Sequence, residues 1–246
     1  MKINVLFSPV GADELSFTGK TTVVVDVLRA SSTIVAALYN GAREVVPVAN
    51  VEFAVKVSGG MFGGQTLLGG ERHTKKIEGF ALGNSPLEYS PELVSGKTII
   101  LYTTNGSKAI VKAKFSENLF VCSFLNIGAA VKHLVNLNKD FEILCAGRYN
   151  HYSMEDTICA GKLISEVMKL KDSIELSDSA KACIALNKSF GKSTLKMLKD
   201  TDHGKILLEN GFKEDLDFCS RVNSYDIIPY FSANVLKVLP NLKERK

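Results

Sequence analysis

The feature that most constrains the fold is a short apolar run followed by a helical pattern, which recurs five times along the chain. The runs are apolar on consecutive residues, as in TTVVVDVL at 21–28 and TIILY at 98–102. Consecutive apolar residues are typical of strands that are buried on both faces. Their alternation with helices predicts a three-layer α/β sandwich with a largely parallel or mixed central sheet.

The remaining elements follow from the same pattern. The predicted strands cover residues 21–28, 43–48, 98–102, 119–124, 141–147 and, near the C-terminal end, 225–231. From about Asp172 the chain is mostly helical until that last strand. The segment 66–86, TLLGGERHTKKIEGFALGNSP, is rich in glycine and lacks periodicity over most of its length, so we expect a functional loop. No linker-like change of composition divides residues 1–246, which predicts a single domain.

Composition argues against several classes of protein. The net charge of +4 is small, its signs are interspersed, and no basic block lies beside stacking aromatic residues, so we expect no nucleic-acid partner. The chain has no apolar run of 18 residues and no signal-peptide pattern, which predicts a cytoplasmic protein with no membrane partner. Five single cysteines without a CxxC spacing argue against disulfides and structural zinc. A homodimer is expected from base rates alone.

Small polar residues occupy the joints between the predicted strands and helices, as in ASST at 30–33 and TNGS at 104–107. In parallel sheets, ligands bind where strands end and helices begin, and helix N-termini attract anions. Small residues let a phosphate approach the backbone, and hydroxyl groups add donors. The candidate phosphate- and substrate-binding residues are Ser31, Thr104, Asn105, Gly106, Asn126 and Arg148. The alternative is that the joints are only helix N-caps, for which Ser, Thr and Asn are preferred.

Acidic residues also fall at these joints. Asp26 interrupts VVVDVL, where a buried carboxylate is costly unless it is paired or bound to a cation. Pairing with Arg29 is the structural alternative. Glu155 and Asp156 begin the helix after the fifth run, although Ser153 and Asp156 also fit a capping box. Carboxylates with hydroxyl and carbonyl oxygens are hard ligands, so we expect Asp26, Glu155 and Asp156 to hold Mg²⁺.

Charged residues in the glycine-rich segment complete the candidate site. Glu71 either joins the metal ligands or orients an attacking water molecule. Arg72, together with Arg29 and Arg148, offers guanidinium donors to an anionic substrate. These residue types suit phosphoryl transfer, which depends on neutralised charge and in-line positioning.

Three familiar phosphatase signatures are absent from the sequence. No cysteine is followed by an arginine six positions later, which excludes the Cys-x5-Arg nucleophile. Leu28 stands where a DxD motif that begins at Asp26 needs its second acid. Arg72 and His73 lie in the middle of the chain instead of after the first strand, so a histidine phosphatase is not favoured.

The chain closely resembles the 2-phosphosulfolactate phosphatase family. The matching stretches, in family order, are VVVDVLRASSTIVAAL, LLGGER, GFALGNSPLEY, YTTNGSKAI, ILCAGRYNHYSMEDTICAG and, more weakly, HGKILLENGFKEDLDFCS with DIIPYF. They extend from about residue 22 to 231. The resemblance implies an α/β fold and a Mg²⁺-dependent acid phosphatase that converts (R)-2-phospho-3-sulfolactate to 3-sulfolactate and phosphate. In methanogens that step belongs to coenzyme M biosynthesis.

With this resemblance, the residues predicted to act in catalysis are Asp26, Arg29, Glu71 and Arg72. The predicted substrate carries phosphate, sulfonate and carboxylate on three carbons, so one Mg²⁺ and two or three guanidinium groups balance much of its charge. One alternative is a Mg²⁺-dependent phosphatase of another small 2-phospho-hydroxyacid. Another is a non-catalytic protein that binds a small anion.

Overall fold

Strands and helices alternate along the chain as the sequence predicts. The computed structural model describes residues 1–60 and 65–240. Its strands are β1 (Lys2–Leu6), β2 (Thr21–Val25), β3 (Glu44–Val48), β4 (Thr66–Arg72), β5 (Lys75–Lys76), β6 (Thr98–Tyr102), β7 (Asn118–Cys122), β8 (Phe141–Cys145), β9 (Glu175–Leu176), β10 (Pro229–Ser232) and β11 (Val235–Val238). Its helices are α1 (Ala30–Tyr39), α2 (Val51–Gly60), α3 (Pro91–Val94), α4 (Gly106–Lys112), α5 (Ile127–Leu137), α6 (Met154–Met168), α7 (Asp178–Phe190), α8 (Thr194–Asp200), α9 (Asp202–Glu209) and α10 (Lys213–Cys219). The predicted α/β class with a helix-rich C-terminal part is confirmed.

The strands form one mixed sheet in the order β5-β4-β6-β3-β11-β10-β7-β2-β8-β1-β9. The first parallel group contains β4, β6 and β3. The second contains β7, β2, β8, β1 and β9. The hairpin β10–β11 lies between the groups and pairs antiparallel with β7 and with β3. Because three antiparallel pairings separate the groups, the two groups run in opposite directions along the sheet.

Helices cover both faces of the sheet. Val24 of β2 and Ile99 of β6 pack with Ile110 of α4 in one core cluster, which also includes α1. The neighbouring residues Val23 and Ile100 point to the opposite face, which α2, α5 and α6 cover. This alternation follows from the two-residue period of a strand and explains why the runs are apolar at consecutive positions. The predicted three-layer sandwich is confirmed.

The sheet curves around α4. This helix contacts both β2 and β6, which are five positions apart in the sheet. On a flat sheet that separation would be about 24 Å, at about 4.8 Å per strand, whereas a helix is only about 10–12 Å wide. The twist of neighbouring strands brings the two groups close enough for one helix to touch both. The carboxyl ends of β2 and β6 therefore meet, although their groups run in opposite directions.

The expectation of a loop over 66–86 is wrong for its first seven residues. They form β4, which pairs in parallel with β6 from Thr66 opposite Thr98 to Gly70 opposite Tyr102. A Cβ at Gly70 would clash with the Tyr102 carbonyl oxygen, and the φ of Gly70 is +145°. The glycines therefore reflect close packing between two buried strands, which a sequence pattern does not distinguish from a glycine-rich loop.

The strand expected at 225–231 begins later than predicted, at Pro229. It continues through a turn at Ala233 and Asn234 into β11, which the sequence pattern did not reveal. Both turn residues have positive φ, as a tight two-residue hairpin requires.

The five cysteines are free and buried. Among the described residues, no helix has both the length and the apolar character needed to cross a membrane.

Candidate functional site

A small cavity lies where the loops after β2, β4 and β6 meet. Its volume is about 20 Å³, which is enough for a water molecule or an ion. The residues that line it are Asp26, Leu28, Arg29, Glu71, Thr74, Asn84, Thr103, Thr104, Asn105, Arg148, Tyr149 and His203. The structure therefore brings together six residues that the sequence predicted for the site, from four separate stretches of the chain. We call this space the inner cavity.

A larger space, the outer cavity, adjoins the inner one. Its volume is about 370 Å³, within the range of small-molecule sites. Arg148, Tyr149 and His203 line both cavities, and Glu155 lies in the wall of the outer one. The arrangement is an ion-sized inner space that opens onto a space large enough for a small substrate.

Asp26 is held at the turn between β2 and α1. Its Oδ1 atom accepts a hydrogen bond from the Ala30 N–H group at 3.2 Å, and its own N–H group donates to Ser31 Oγ at 2.9 Å. Its Oδ2 atom lies against Gly106, where a Cβ would clash with both Oδ2 and the Ala30 side chain. Glycine at this position lets the first turns of α1 and α4 approach each other around the carboxylate.

The electrostatic surroundings of Asp26 favour its protonated form. The pKa of its carboxyl group is raised from 3.8 to about 7, with burial as the largest cause. The charge of His203 and the Ala30 hydrogen bond lower this pKa, whereas the negative charges of Glu71 and Glu155 raise it further. The three acids are therefore close enough to interact, as the sequence predicted for residues that share one site.

The Glu71 carboxylate links two loops by accepting hydrogen bonds from their backbone N–H groups. It follows the Gly69–Gly70 pair near the end of β4 and is buried. Its Oε1 atom accepts from the Thr104 N–H group at 2.7 Å, and its Oε2 atom accepts from the Thr74 N–H group at 2.9 Å. Both carboxylate oxygens therefore hold main-chain groups in place beside the inner cavity.

Asp156, like Glu71, accepts hydrogen bonds from two backbone N–H groups in different loops. Its Oδ1 atom accepts from the Val27 N–H group at 2.8 Å, and its Oδ2 atom accepts from the Gly147 N–H group at 3.2 Å. Burial and the neighbouring negative charges raise the pKa of its carboxyl group well above the usual value. The Ser153 hydroxyl accepts from the Asp156 N–H group, so one half of the expected capping box is present. The carboxylate itself connects the loops after β2 and β8.

Glu155 pairs with a histidine that the sequence did not single out. The Oε1 atom of Glu155 lies 3.4 Å from Nδ1 of His203, at the start of α9. Burial alone would raise the pKa of Glu155, but the hydrogen bond and the charge of His203 lower it overall. His203 stands between the two cavities and is mostly buried.

Arg29 is fixed by contacts on three sides. Its Nη1 atom lies 2.5 Å from Oδ2 of Asp215, its Nη2 group donates to the Thr74 carbonyl oxygen at 2.7 Å, and its guanidinium carbon lies 4.2 Å from the centre of the Phe212 ring. The alternative that Arg29 pairs with Asp26 is therefore wrong. The partner is an acid 186 residues away in sequence, which no local pattern indicates.

Several residues that line the inner cavity carry a buried polar atom without a hydrogen-bond partner. In the described part of the chain, five buried side-chain atoms have no hydrogen-bond partner, and three of them belong to residues that line this cavity. They are Thr74 Oγ1, Asn84 Oδ1 and Thr104 Oγ1. An unsatisfied buried polar group costs about 1–3 kcal/mol, so their concentration here indicates a place for a bound polar group. The N-cap alternative does not account for Thr104, since its hydroxyl caps no helix.

Comparison with known proteins identifies the family of this chain. A family model described as 2-phosphosulpholactate phosphatase matches residues 8–234. The chain belongs to this family. It is 41% identical over 218 residues to a "Probable 2-phosphosulfolactate phosphatase" of Caldanaerobacter subterraneus subsp. tengcongensis, with 89% of this chain and 90% of the relative covered. Proteins described in the same words match from Clostridium perfringens strain 13, at 40% identity over 97% of each chain, and from Symbiobacterium thermophilum, at 37% identity over 93% of this chain and 97% of the relative.

Two predicted site residues of this phosphatase-family chain lie away from the cavities. Arg72 is exposed at the end of β4, opposite Lys75 in the hairpin with β5. Asn126 is buried, and its Nδ2 group donates to the carbonyl oxygens of Val121 at 3.2 Å and Ile227 at 3.1 Å. Their predicted roles in catalysis and binding stay predictions. Ser31, as described above, accepts the hydrogen bond that shapes the Asp26 turn.

The residues that sequence reasoning missed are Thr74, Asn84, Tyr149, His203 and Asp215. Four of the five lie in stretches quoted for the family resemblance, which was the one signal available for them. None of them forms a local motif, because each contacts the site from a different loop or helix.

The donor atoms at the inner cavity and beside it fit Mg²⁺. Among the described residues, no group of three or more His, Cys, Asp or Glu side chains is arranged as a metal cluster. Mg²⁺ in phosphoryl-transfer sites, however, is usually held by one or two carboxylates together with water and substrate oxygens. Of the four acids described above, Glu71 and Asp156 each accept hydrogen bonds from two backbone N–H groups. Asp26 and Glu155 do not, so their oxygens are the ones available to a metal ion. Their mutual repulsion and the unpartnered oxygens of Thr104 and Asn84 suit a hard cation.

The contact between Asp26 and Gly106 leads to a first prediction. Gly106→Ala introduces a methyl group that clashes with Asp26 and Ala30. We expect a loss of about 1–3 kcal/mol in unfolding free energy, measured in urea. Displacement of the Asp26 carboxylate by about 1 Å also lowers phosphatase kcat/KM by about 100-fold. Gly59→Ala in α2, where a Cβ meets no atom within 4 Å, is the matched control and leaves both quantities near wild type. Wild-type activity in Gly106→Ala would contradict the proposed close approach.

The raised pKa of Asp26 leads to a second prediction. The folded state binds this proton more tightly than the unfolded state, so its stabilisation is complete below about pH 4 and is lost as the pH rises through 7. Asp26→Asn cannot ionise and escapes this loss. In EDTA at pH 8 we expect the variant to melt about 5 °C above wild type, with the difference closing at pH 4.

Differential scanning calorimetry from pH 4 to 8 measures this difference. Asp172→Asn, at an exposed position, is the control and follows the wild-type curve. Parallel curves for wild type and Asp26→Asn would show that burial does not perturb this carboxyl group.

Proposed function

We propose that the chain is a Mg²⁺-dependent acid phosphatase that hydrolyses 2-phosphosulfolactate to 3-sulfolactate and phosphate. By family membership it is a phosphoric monoester hydrolase. The proposal is carried by one observation: acids, an arginine and unpartnered oxygens from distant loops converge on an ion-sized cavity that opens onto a substrate-sized one. Such a site can neutralise and position a phosphate group, which is most of what phosphoryl transfer requires.

The phosphate group is assigned to the inner cavity, on the side that adjoins the outer cavity. Thr104 and Asn105 line this cavity, and Gly106 lets the first turns of α1 and α4 close around the Asp26 carboxylate. Arg29 contributes positive charge from a fixed position, since Asp215 and the Thr74 carbonyl oxygen hold its guanidinium group. A fixed donor is already oriented before the reaction, which favours stabilisation of charge that develops in the transition state.

The metal ligands are assigned to Asp26 and Glu155, directly or through water. When bound, Mg²⁺ would offset the negative charge of the phosphate and of the two acids. Asp156 and Glu71 hold the surrounding loops through backbone N–H groups, so they position the ligands and the phosphate-binding residues.

His203 is assigned the role of general acid, which gives a proton to the leaving group. Hydrolysis breaks the P–O bond to C2 of the substrate, and the departing oxygen needs a proton. In its protonated form His203 donates Nδ1–H to Glu155 and carries a second proton on Nε2, which passes to the departing oxygen as water adds to phosphorus. The position of His203 between the inner and outer cavities suits proton transfer to the oxygen that links phosphorus to C2 of the substrate.

A substrate and metal assay tests the main proposal. With Mg²⁺, phosphate release from 2-phosphosulfolactate is expected to exceed release from phospholactate and phosphoglycolate by at least tenfold in kcat/KM. EDTA is expected to abolish turnover, and added Mg²⁺ to restore it. Asp26→Ala is expected to lower kcat by about 1,000-fold or more while the fold persists by circular dichroism.

Other outcomes of the same assay discriminate between the rivals. Turnover that resists the chelator would exclude the metal-dependent mechanism. Preference for phospholactate or phosphoglycolate would favour another 2-phospho-hydroxyacid, and tight binding without turnover would favour an anion-binding protein.

The role of His203 predicts a dependence on the leaving group. His203→Gln is expected to lower kcat about 100-fold for 2-phosphosulfolactate, whose alkoxide needs a proton. For p-nitrophenyl phosphate, whose leaving group is stable as an anion, we expect less than about a fivefold loss. His133→Gln, in α5 and outside both cavities, is the matched control and is expected to change neither rate by more than about twofold. Equal losses on both substrates would assign His203 a purely structural role.

A further inference from the structure

A third cavity opens beside the candidate site along α4. Its volume is about 320 Å³, and Thr104 and Asn105 line both this space and the inner cavity. The side chains of Lys108 and Lys112 form its wall on the helix, and Asn150 lies opposite. The space, which we call the lysine cavity, is therefore continuous with the place assigned to the phosphate.

The lysine cavity is positively charged. Its lining residues include two lysines and no Asp or Glu. Lys108 and Lys112 are four residues apart on one helix, where like charges destabilise each other by a few tenths of a kcal/mol. Within the described residues neither forms an ion pair, whereas Lys114, two positions further on, pairs with Glu14 at 2.9 Å.

The groups around these lysines are donors or aromatic faces. The Lys108 Nζ atom lies 5.6 Å from the centre of the Tyr102 ring, a contact that orients the ammonium group without neutralising it. The Oδ1 atom of Asn105 accepts from the Tyr149 N–H group at 2.9 Å, which leaves the Nδ2 group of Asn105 to donate. The wall thus offers positive charge and hydrogen-bond donors, the properties of a pocket for an anion.

We propose that Lys108 and Lys112 form a subsite for the sulfonate group of the substrate and are specificity-determining residues. This inference rests on the proposed function. A sulfonate spreads its charge over three tetrahedral oxygens, which suits two mobile ammonium groups. The planar guanidinium of Arg148, in the outer cavity, matches the planar carboxylate. The two non-reacting anionic groups are therefore assigned to different cavities.

A pair of substrates that differ only in the sulfonate tests the subsite. For the double variant Lys108→Gln and Lys112→Gln, kcat/KM for 2-phosphosulfolactate is expected to fall at least tenfold, mainly through KM. The loss for phospholactate is expected to stay below twofold. Lys132→Gln, on the exposed face of α5, is the matched control and changes neither value. Equal losses on both substrates, or no loss on either, would overturn the assignment.

Binding of the product separates this inference from the proposed function. Calorimetry measures the Kd of 3-sulfolactate and of lactate in wild type and in the double variant, with no turnover needed. We expect wild type to bind 3-sulfolactate at least tenfold more tightly than lactate, and the variant to lose that preference. If wild type hydrolyses no phosphoester but keeps the preference, the proposed function fails and the subsite stands. If wild type has no preference for 3-sulfolactate, the subsite is overturned whatever the turnover.

Discussion

The close approach of Asp26 and Gly106 is the constraint on which the rest of the site depends. Two helices begin at this point, each after a strand of a different parallel group, and their first turns meet around one carboxylate. The sheet has to curve around α4 for this contact to form, because the groups run in opposite directions. A flat sheet of the same strand order would place the two loops at opposite edges.

The acids of the site divide into two kinds according to what their oxygens contact. Glu71 and Asp156 each accept two backbone N–H groups, and they tie together loops that start from different strands. Asp26 and Glu155 accept fewer backbone hydrogen bonds, and the charge of Glu155 raises the pKa of the Asp26 carboxyl group. The first kind provides rigidity. The second provides the unbalanced negative charge that a divalent cation would neutralise.

The positive charges are also arranged by distance from the inner cavity. Arg29 is buried and immobilised against Asp215 and Phe212, so it acts as a fixed part of the wall. Arg148 lies at the mouth of the inner cavity, and the lysines of α4 line a side space. A substrate with three anionic groups would meet a fixed cation at its reacting end and mobile cations at the other two.

The amino-acid sequence was enough to predict the class of fold, the order of most strands and helices, and six of the residues that line the inner cavity. It could do so because burial on both faces of a strand and small residues at a helix start are local patterns, visible within a few positions. It also placed the chain in its family before any geometry was known. It missed β4, since a glycine pair in a close-packed strand has the same composition as a loop.

Which residues are partners depends on the three-dimensional fold. Arg29 binds Asp215 instead of Asp26, His203 joins Glu155, and Asn126 and Arg72 lie away from the cavities. These outcomes depend on how a curved sheet brings loops from distant parts of the chain together. That curvature arises from the summed twist of many strands, and no short stretch of sequence contains it.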